Sequence, residues 1–393
     1  MSKIHITLVG GQLEPVYQGI VYADPDKIYY ICSEETKEYA EIIKSQFKQK
    51  DYDVRKMPTD LKQVREEIEK LKNSINAEDE ISINLVGGTK VWSIYFYDVF
   101  RVGNVHFIVV EQDKVVSDLF TYENKSIPLD PDLIFKLHRC QNTNYIRFED
   151  FTESDSCVAQ QLEKLWENDN QLFTRLLGGV DKKKKYSVVA GGKTKKVPFS
   201  QYVKYDEGRD YLDDNNHFDF SRTSDPEKME VINLVFKGRK IPQIKSPHAK
   251  RLTFATGWFE YKVAKILSQW KQAREILCGC EMKQEGKASK KAGPLNEFDV
   301  IIDTKKRLLF VECKTAIAKP TDIDKFAKGI RTYGGTSSCG VFITYYPVDK
   351  TQQDKFKLNH IKHISLKDWQ GNMISNEDIY NELDKLVSGS NPE

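Results

Sequence analysis

Two carboxylates and an ammonium group lie close together in the C-terminal third of this 393-residue chain. Asp299 lies in the apolar run 298–302, while Glu312 and Lys314 are two positions apart in the run 308–315. Both runs have the composition of strands, and a short polar segment joins them, as a hairpin requires. Charges set into apolar strands are costly unless they are compensated. A divalent cation would compensate the carboxylates, and the lysine could orient or activate an attacking water.

The alternation of strand side chains predicts which of these groups meet. Because successive side chains point to opposite faces, the two charged residues of the second run should share a face. In the first run, Phe298, Val300 and Ile302 are predicted to lie on one face and Asp299 on the other. The hairpin would then bring Asp299 beside Glu312.

A third carboxylate precedes the two strands on a predicted helix. Glu260 has Val263, Ala264 and Leu267 at positions i+3, i+4 and i+7, which places it on the apolar stripe of that helix. It would complete an oxygen-rich site of the kind that Mg²⁺ and Mn²⁺ prefer. The backbone carbonyl of Cys313 could add a further metal ligand.

This constellation resembles the motif of the PD-(D/E)XK nuclease superfamily over about residues 254–346. Asp299 matches the first acid, Glu312-Cys313-Lys314 matches the (D/E)XK element, and Glu260 matches the preceding helical acid. The proline that usually stands before the first acid is absent. The resemblance implies that the three acids hold one or two Mg²⁺ or Mn²⁺ ions and that Lys314 positions water for phosphodiester attack.

In the N-terminal part, three predicted strand ends carry small or polar residues suited to binding a ligand through backbone N–H groups. These residues are Gly10, Gly11 and Gln12, then Ser33, then Asn84, Gly87, Gly88, Thr89 and Lys90. In an open parallel sheet, ligands bind at the carboxyl ends of the strands. Neither the dinucleotide fingerprint nor the Walker pattern fits these loops. A plain strand-to-helix turn is the alternative for each loop taken singly.

Taken with the nuclease motif, these loops resemble those of the CARF-domain nucleases of type III CRISPR systems. The segment Ile83-Asn-Leu-Val-Gly-Gly-Thr-Lys90 is similar to the CARF signature after the central strand. The resemblance implies a homodimer that binds a cyclic oligoadenylate across its two-fold axis, most often cyclic tetra-adenylate. Such an arrangement is consistent with an isologous interface. The bound activator would rearrange two nuclease domains onto DNA, RNA or both.

The pattern of elements predicts an α/β protein with two main domains. Strands alternate with helices at the N-terminus, so we predict a Rossmann-like CARF domain over residues 1–145. Residues 146–245 are a connecting region with a basic hairpin, assigned to the nuclease lobe, and its acidic stretch 206–225 is predicted to be loop. Residues 246–393 are predicted to form a restriction-endonuclease-like PD-(D/E)XK domain. Helices are expected to continue to about residue 49 and, farther on, to about residue 277.

Charge and composition limit the partners. Residues 1–150 contain 19 Lys and Arg against 25 Asp and Glu, whereas residues 151–393 contain 41 against 33. The basic rear part is the expected nucleic-acid surface, with weak candidate contacts at Lys283, Lys287 and Lys325; a solvated surface is the alternative. No apolar run is long enough to span a membrane. The scattered cysteines and the absence of a signal-peptide pattern suggest the cytoplasm.

Three other functions compete with this interpretation. Arg101 and His106 have the R-x4-H spacing of metal-independent HEPN ribonucleases, but Gly103 interrupts the helix that such a site needs. A ligand-gated nucleic-acid-binding regulator would not need three buried charges. An unregulated restriction or repair nuclease would be active without any ligand.

Overall fold

The computed structural model describes residues 1–111, 115–173, 185–190, 193–198, 207–224, 228–254, 256–284, 296–304, 307–315, 320–335 and 338–388. Within these residues the chain forms three sheets, of seven, six and six strands. Among them no helix has both the length and the apolar character needed to cross a membrane.

The first domain is built on a parallel-rich sheet. Its strands are β1 (Lys3–Leu8), β2 (Lys27–Cys32), β3 (Asp51–Lys56), β4 (Glu80–Asn84), β5 (Val105–Val110), β6 (Val115–Asp118) and β7 (Asn124–Ser126). Its helices are α1 (Glu14–Ala23), α2 (Lys37–Lys44), α3 (Leu61–Asn73), α4 (Lys90–Phe100) and α5 (Pro131–Leu137). The strand order is β3-β2-β1-β4-β5-β6-β7, with β1 to β5 parallel. The order reverses between β1 and β4, and a crevice opens at such a point.

The inner strand β1 has both faces buried although its sequence alternates between apolar and polar residues. Ile4, Ile6 and Leu8 are apolar, whereas the polar His5 and Thr7 are fully buried on the other face. This first sheet confirms the predicted Rossmann-like architecture.

A second sheet is antiparallel and follows helix α6 (Glu153–Asn168). Its strands are β9 (Lys185–Ala190), β10 (Lys193–Pro198), β11 (Glu207–Asp213), β12 (Asn216–Arg222), β13 (Glu230–Phe236) and β14 (Arg239–Ser246). They are arranged in the order β10-β9-β11-β12-β13-β14. The predicted basic hairpin is present as β9 and β10, whose ladder runs from Lys185 to Pro198.

The third sheet is mixed and contains the strands that carry the acidic motif. Its elements are β8 (Cys140–Arg147), α7 (Ala249–Thr253), α8 (Gly257–Leu267), β15 (Ala273–Gln284), β16 (Asn296–Thr304), β17 (Leu308–Lys314), α9 (Pro320–Tyr333), β18 (Ser338–Thr344), α10 (Lys350–Leu358), β19 (Lys362–Ser365) and α11 (Asn376–Ser388). The order is β19-β18-β17-β16-β15-β8. Strand β8 pairs with β15, so the chain already enters this sheet at Cys140.

One apolar core joins the second and third sheets. It includes Leu162 of α6, Phe218 and Ile232 of the second sheet, Trp258 of α8 and Val300 of β16. Because these side chains pack together, the antiparallel sheet and the motif-bearing sheet form one lobe.

Three local predictions were wrong. Residues 206–225 include β11 and β12 rather than loop, because Phe218 and Phe220 alternate inward from an otherwise polar run. The helix expected to reach residue 277 ends at Leu267, and β15 follows it. The helix expected to reach residue 49 ends at Lys44, and the exposed strand β3 follows.

Candidate active site and ligand-binding loops

A tight corner between α7 and α8 positions Glu260. Thr256, which precedes α8, adopts a left-handed backbone with φ of 63°, a conformation that costs free energy for a residue other than glycine. A Cβ on Gly257 would overlap the carbonyl oxygen of Arg251. The corner therefore turns sharply, and it places Glu260 in the first turn of α8 with Val263 buried behind it.

Strands β16 and β17 separate where the two strand carboxylates lie. Their ladder ends at the pair Val300 and Val311. The Asp299 carboxylate then takes the place of a backbone acceptor, because the Cys313 amide donates to Asp299 Oδ2 at 2.7 Å. The structure thus brings Asp299 beside the strand that carries Glu312.

The predicted face of Phe298 was wrong. Val300 and Ile302 pack in the core shared with the second sheet, whereas Phe298 packs on the other side of the sheet with Phe310. The neighbouring strand bends at Gly279, where φ is +58° and the pairing with β8 shifts register. Such an irregularity increases twist and redirects side chains, so simple alternation fails here.

Lys314 lies between the two strand carboxylates. Its Nζ is 2.7 Å from Glu312 Oε1 and 3.4 Å from Asp299 Oδ2. Glu312 and Lys314 share a face of β17. The ammonium group therefore occupies the point where the carboxylates converge.

The electrostatics of the cluster favour a bound cation. Burial and the charge of Asp299 raise the pKa of Glu260 and, likewise, the pKa of Glu312. Burial acts to lower the pKa of Lys314, but Asp299 and Glu312 outweigh it and raise that pKa well above its usual range. A second positive charge would relieve the repulsion that remains among the carboxylates.

Two charged residues of this cluster escaped sequence reasoning. Glu297 lies two positions before Asp299 on β16, and its charge adds to the repulsion felt by Glu260. Arg251 of α7 places its NH2 group 3.6 Å from Glu260 Oε2. The closeness of Glu297 to Asp299 in the sequence could have identified it as a member of the cluster. No sequence signal points to Arg251, because the corner between α7 and α8 brings it in.

The donor chemistry fits a hard divalent cation. Carboxylate oxygens are the ligands that Mg²⁺ and Mn²⁺ prefer, and in the described part of the chain four carboxylates lie near two cationic side chains. The six groups are Glu260, Glu297, Asp299 and Glu312 with Arg251 and Lys314. Among the described residues, no three His, Cys, Asp or Glu side chains stand close enough together to hold a metal ion in the present arrangement. The metal site and the Cys313 ligand stay predictions.

The glycine-bearing loops of the first domain meet at the switch point. A Cβ on Gly10 would lie 3.0 Å from the backbone nitrogen of Gly88, so the loops after β1 and β4 touch. Gly87 has φ of 118°, and a Cβ there would overlap the Leu8 carbonyl oxygen. A Cβ on Gly11 would meet nothing within 4 Å. The loops are therefore tightly packed at Gly87 and open at Gly11.

Among the polar loop residues, some are exposed and some are used within the loops. Gln12, Thr89 and Lys90 are exposed, and the Thr89 side chain caps α4 by accepting from the Trp92 amide. Asn84 is fully buried and donates to the Pro15 carbonyl, so it shapes the loop from beneath.

Ser33 is half-buried after β2. Its hydroxyl accepts from the amide of Thr36, one turn along the chain. The side chain therefore closes a local turn, and its position at the end of β2 places it beside the strand that leads to Gly10.

The predicted nucleic-acid contacts are spread over the third sheet. Lys283 is exposed near the end of β15, and Lys325 is exposed on α9. Lys287 lies outside the described residues. Within the described residues, neither Lys283 nor Lys325 makes an ion pair with the carboxylates of the cluster.

Comparisons with known proteins bear on both ends of the chain. The family model described as the Card1 CARF domain matches residues 4–133. A comparison with curated proteins finds no match.

Three solved structures share this fold. Can2 from Sulfobacillus thermosulfidooxidans, in complex with cyclic tetra-adenylate, superposes with a TM-score of 0.64 at 15% identity over 98% of this chain and 99% of Can2. Protein VC1899 from Vibrio cholerae gives 0.64 at 14% identity over 98% and 97%. A type III CRISPR defence DNA nuclease activated by cyclic oligoadenylate gives 0.54 at 15% identity, and here the chain covers 52% of that protein's length.

The match to a family model and the likeness of fold agree on the organisation of the chain. The parallel-rich sheet with its switch-point loops is the matched domain, and the mixed sheet with its acidic cluster is the second domain of the shared fold. Residues 4–133 therefore match the Card1 CARF domain, and the chain as a whole shares the fold of Can2.

Proposed function

We propose that this chain is a metal-dependent nuclease of the PD-(D/E)XK type, activated by a cyclic oligoadenylate and acting in type III CRISPR antiviral defence. The observation that carries the proposal is the contact of Lys314 with Asp299 and Glu312, with Glu260 near enough to act on their charges. The same chain matches a CARF family model at residues 4–133. Cyclic tetra-adenylate is the expected activator, and DNA, RNA or both are the expected substrates.

The proposed chemistry is phosphodiester hydrolysis. A divalent cation, Mn²⁺ or Mg²⁺, bound to these carboxylates would neutralise charge and polarise the scissile phosphate. Glu260, Asp299 and Glu312 would hold it through their oxygens. The Lys314 ammonium, which lies beside Asp299 and Glu312, would donate hydrogen bonds to the attacking water and orient it. The Cys313 amide holds the Asp299 carboxylate in place.

The activator is proposed to bind at the switch point of the CARF sheet. There the loops after β1 and β4 touch, and α4 begins at Lys90 with its positive N-terminus toward the crevice, which suits phosphate groups. Gly10, Gly11 and Gln12 would approach the ligand from the other side. In support, the Can2 structure of the same fold holds cyclic tetra-adenylate.

A second copy of the chain is the proposed partner. Ile94 and Tyr97 of α4 are 62% and 40% exposed, and Phe120, which stacks on Tyr97, is 56% exposed. An exposed apolar patch of this kind marks an interaction surface. The patch lies on the helix that starts at the ligand loop. A two-fold axis there would set two loops side by side, which suits a cyclic ligand.

Contact between the domains offers a route for activation. Glu14, in the first turn of α1, directly follows the Gly10–Gln12 loop, and its Oε1 lies 2.9 Å from His138 Nε2. Gly335, just after α9, packs on this pair, because a Cβ there would lie 2.7 Å from Glu14 Oε1. A cleft of about 540 Å³ opens beside the pair. A ligand that shifts the loop would therefore act directly on the end of α9.

Helix α9 carries that effect to the carboxylates. At its other end, the charge of Asp322 acts on Glu312. In its middle, Gly329 packs so closely on β16 that a Cβ would lie 2.8 Å from the Phe298 ring, next to Asp299. Movement of α9 would therefore change the spacing of the strand carboxylates.

The decisive experiment is a cleavage panel. Single- and double-stranded DNA and RNA would be incubated with the protein, with each cyclic oligoadenylate, and with Mn²⁺, Mg²⁺ or EDTA. We expect cleavage that needs metal and rises with one cyclic oligoadenylate. Cleavage that is equal without ligand and with EDTA would refute both parts of the proposal.

Two companion variants assign the sites. Glu312→Ala should abolish cleavage and leave activator affinity unchanged. Thr89→Ala combined with Lys90→Ala should shift the activation dose response to higher ligand concentration. Lys62→Ala, an exposed lysine on α3, is the matched control. A dose response that is identical in all three proteins would place the activator elsewhere.

The same cleavage panel distinguishes two other functions from the proposed one. A regulator that binds nucleic acid without cutting it would show ligand-dependent binding and no cleavage in any arm. An unregulated restriction or repair nuclease would cut with metal alone. We favour the regulated enzyme because the four charged groups converge in one place and the CARF loops lie at a crevice.

A further inference from the structure

We propose that Arg251 is a substrate-binding residue of the nuclease site, whose guanidinium holds a phosphate of the nucleic acid next to the scissile bond. The inference rests on the proposed function and names a residue that neither the acidic motif nor the family match contains. Three observations support the inference: the backbone that makes room for the Arg251 side chain, the exposure of that side chain, and the hydrogen bonding of its guanidinium.

The local backbone is shaped around this side chain. The Arg251 guanidinium lies directly over Gly279 of β15, where any Cβ would overlap it, and Gly279 has φ of +58°. The carbonyl of Arg251 in turn requires a glycine at position 257. Thr256 completes the corner in a left-handed conformation. Three adjacent features therefore meet at one arginine, and strained features of this kind cluster at functional sites.

The charged side chains of the cluster differ in how far they are exposed to solvent. The side chains of Lys314 and Arg251 are 36% and 26% exposed, whereas those of Glu260, Glu312 and Asp299 are 18%, 17% and 12% exposed. The two cations therefore lie nearer to solvent than these three carboxylates, whereas Glu297 at the edge of the cluster is exposed. A polyanion that approaches from the side of the cations meets them before the three buried acids.

Arg251 keeps donors available for a phosphate. Its NH2 group lies 3.6 Å from Glu260 Oε2, which is an ion pair but too long for a good hydrogen bond. Among the described residues, the structure shows no other ion pair for its guanidinium. The planar group can present two parallel N–H donors to a phosphate, which Lys314, bound to Glu312 at 2.7 Å, cannot do.

A phosphate held by Arg251 would lie within reach of the metal site, since the same guanidinium pairs with the metal-binding Glu260. The role differs from that of Lys314, which orients the water. Loss of Arg251 should therefore weaken substrate binding and turnover but leave the carboxylates able to bind metal.

The test compares Arg251→Gln and Arg251→Lys with Arg101→Gln, an exposed arginine on the CARF domain. Binding of fluorescent oligonucleotides is measured in the cleavage-deficient Glu312→Gln background with Mn²⁺ and cyclic tetra-adenylate. Mn²⁺ affinity is measured by calorimetry without nucleic acid, and KM and kcat are measured in the unmodified background. Arg251→Lys retains charge and packing, so it keeps the test valid if Arg251→Gln fails to fold.

We expect Arg251→Gln to weaken oligonucleotide binding by about 10-fold and to lower kcat/KM by about 100-fold. Arg251→Lys should recover part of both losses. Mn²⁺ affinity should not fall in either variant, because removing a neighbouring positive charge does not weaken the attraction of the carboxylates for a cation. Arg101→Gln should match the parent.

Unchanged oligonucleotide affinity with weakened Mn²⁺ binding would overturn the proposal, because Arg251 would then serve only to position Glu260. If the wild-type protein cleaved nothing, the proposed function would fail. The affinity difference between Glu312→Gln and its Arg251→Gln derivative would still decide the role of Arg251.

Discussion

At the scale of single residues, Lys314 lies between two of the carboxylates that are proposed to hold a metal ion. Its ammonium contacts Glu312 and Asp299, and it offsets a repulsion that would otherwise destabilise the buried carboxylates. A divalent cation held by the same carboxylates would compete with the ammonium for their oxygens. We therefore expect Lys314 to stabilise the carboxylates without metal, and with metal its ammonium would be available to orient the attacking water.

Replacing Lys314 separates these two roles. Lys314→Met keeps the length of the side chain but removes its charge, so the free protein should lose stability and cleavage should be abolished. Because the carboxylates then lack their cation, Mn²⁺ should raise the melting temperature more in the variant than in the wild type. Differential scanning fluorimetry with and without Mn²⁺ measures this. An equal or smaller shift in the variant would contradict the proposed overlap of ammonium and metal.

At the scale of secondary-structure elements, α6 ties the second sheet to the third. Its N-terminus has a capping box in which the amides of Thr152 and Asp155 each donate to the other's side chain. The same Asp155 carboxylate accepts from the His248 amide at 3.0 Å and contacts its ring, just before α7. One buried acid thus joins α6 to the corner that positions Arg251 and Glu260.

Asp155 gives a stability that depends on pH. Burial alone would raise its pKa, but hydrogen bonds from His248 and Thr152 outweigh burial and lower the pKa from 3.8 to about 2. A lowered pKa adds stability above the unfolded value and loses it as the pH falls through the folded value. The gain at neutral pH is about 2 kcal/mol.

We therefore expect Asp155→Asn to lower the free energy of unfolding by about 2 kcal/mol near pH 6, and by roughly half of that near pH 3. Urea titrations across this range measure the difference. Asp150→Asn, an exposed acid close by, is the control and should have little effect. A deficit in Asp155→Asn that did not change with pH would show that the charge is unimportant.

Elements also show how far the sequence could predict the fold. The parallel strands β1, β2, β4 and β5 were predicted from short runs rich in apolar residues that alternate with helical patterns. Glycines follow β1 and β4 and mark the ends of these two strands. Strands β11 and β12 were missed because their outward positions are polar and acidic, and only the inward phenylalanines Phe218 and Phe220 indicate strand. Strand β15 was missed because no turn residue separates it clearly from α8.

At the scale of the whole molecule, the contact of Glu14, His138 and Gly335 lies between the two domains. Glu14 is 1% exposed, and its Oε2 finds no hydrogen-bond partner among the described residues. A buried acid with one unsatisfied oxygen is costly. A rearrangement that gave this oxygen a hydrogen-bond partner would therefore lower the free energy. Such a contact is expected of a two-state element whose equilibrium a ligand can shift.

Weakening this contact should uncouple activation from binding. Glu14→Gln removes the charge that holds His138, and we expect it to lower the ratio of activated to basal cleavage several-fold. Activator affinity measured by calorimetry should change little, because Glu14 lies behind the loop. Gly335→Ala, which would crowd the same pair at φ of 62°, should have a similar effect. An unchanged activation ratio in both variants would mean that the domains communicate by another route.

The exposed apolar patch predicts the assembly state. Tyr97→Asp together with Phe120→Asp would place two charges in the proposed interface, so the dimer should dissociate and the response to activator should disappear. Analytical ultracentrifugation measures the mass. Leu358 of α10 has a side chain that is 74% exposed. Leu358→Asp is therefore the control, and this variant should stay dimeric. A wild-type protein that sediments as a monomer with activator present would exclude this interface.

The sequence by itself determined the residues that share a local element. Spacing on α8 placed Glu260 with Val263, and the two-residue period of β17 paired Glu312 with Lys314. The glycines after β1 and β4 marked the crevice of the CARF sheet. These features follow from backbone periods of a few residues, which a linear sequence displays directly.

Only the tertiary structure decided which distant residues join them. Arg251 reaches Glu260 through a turn that depends on Thr256, and His138 reaches Glu14 over a separation of 124 residues. Asp299 meets Cys313 because the β16–β17 ladder ends there. Such contacts depend on how whole helices and strands pack, and on the register and twist of the strands. No local periodicity of the sequence encodes these properties, so the sequence identifies the charged groups but not which of them come into contact.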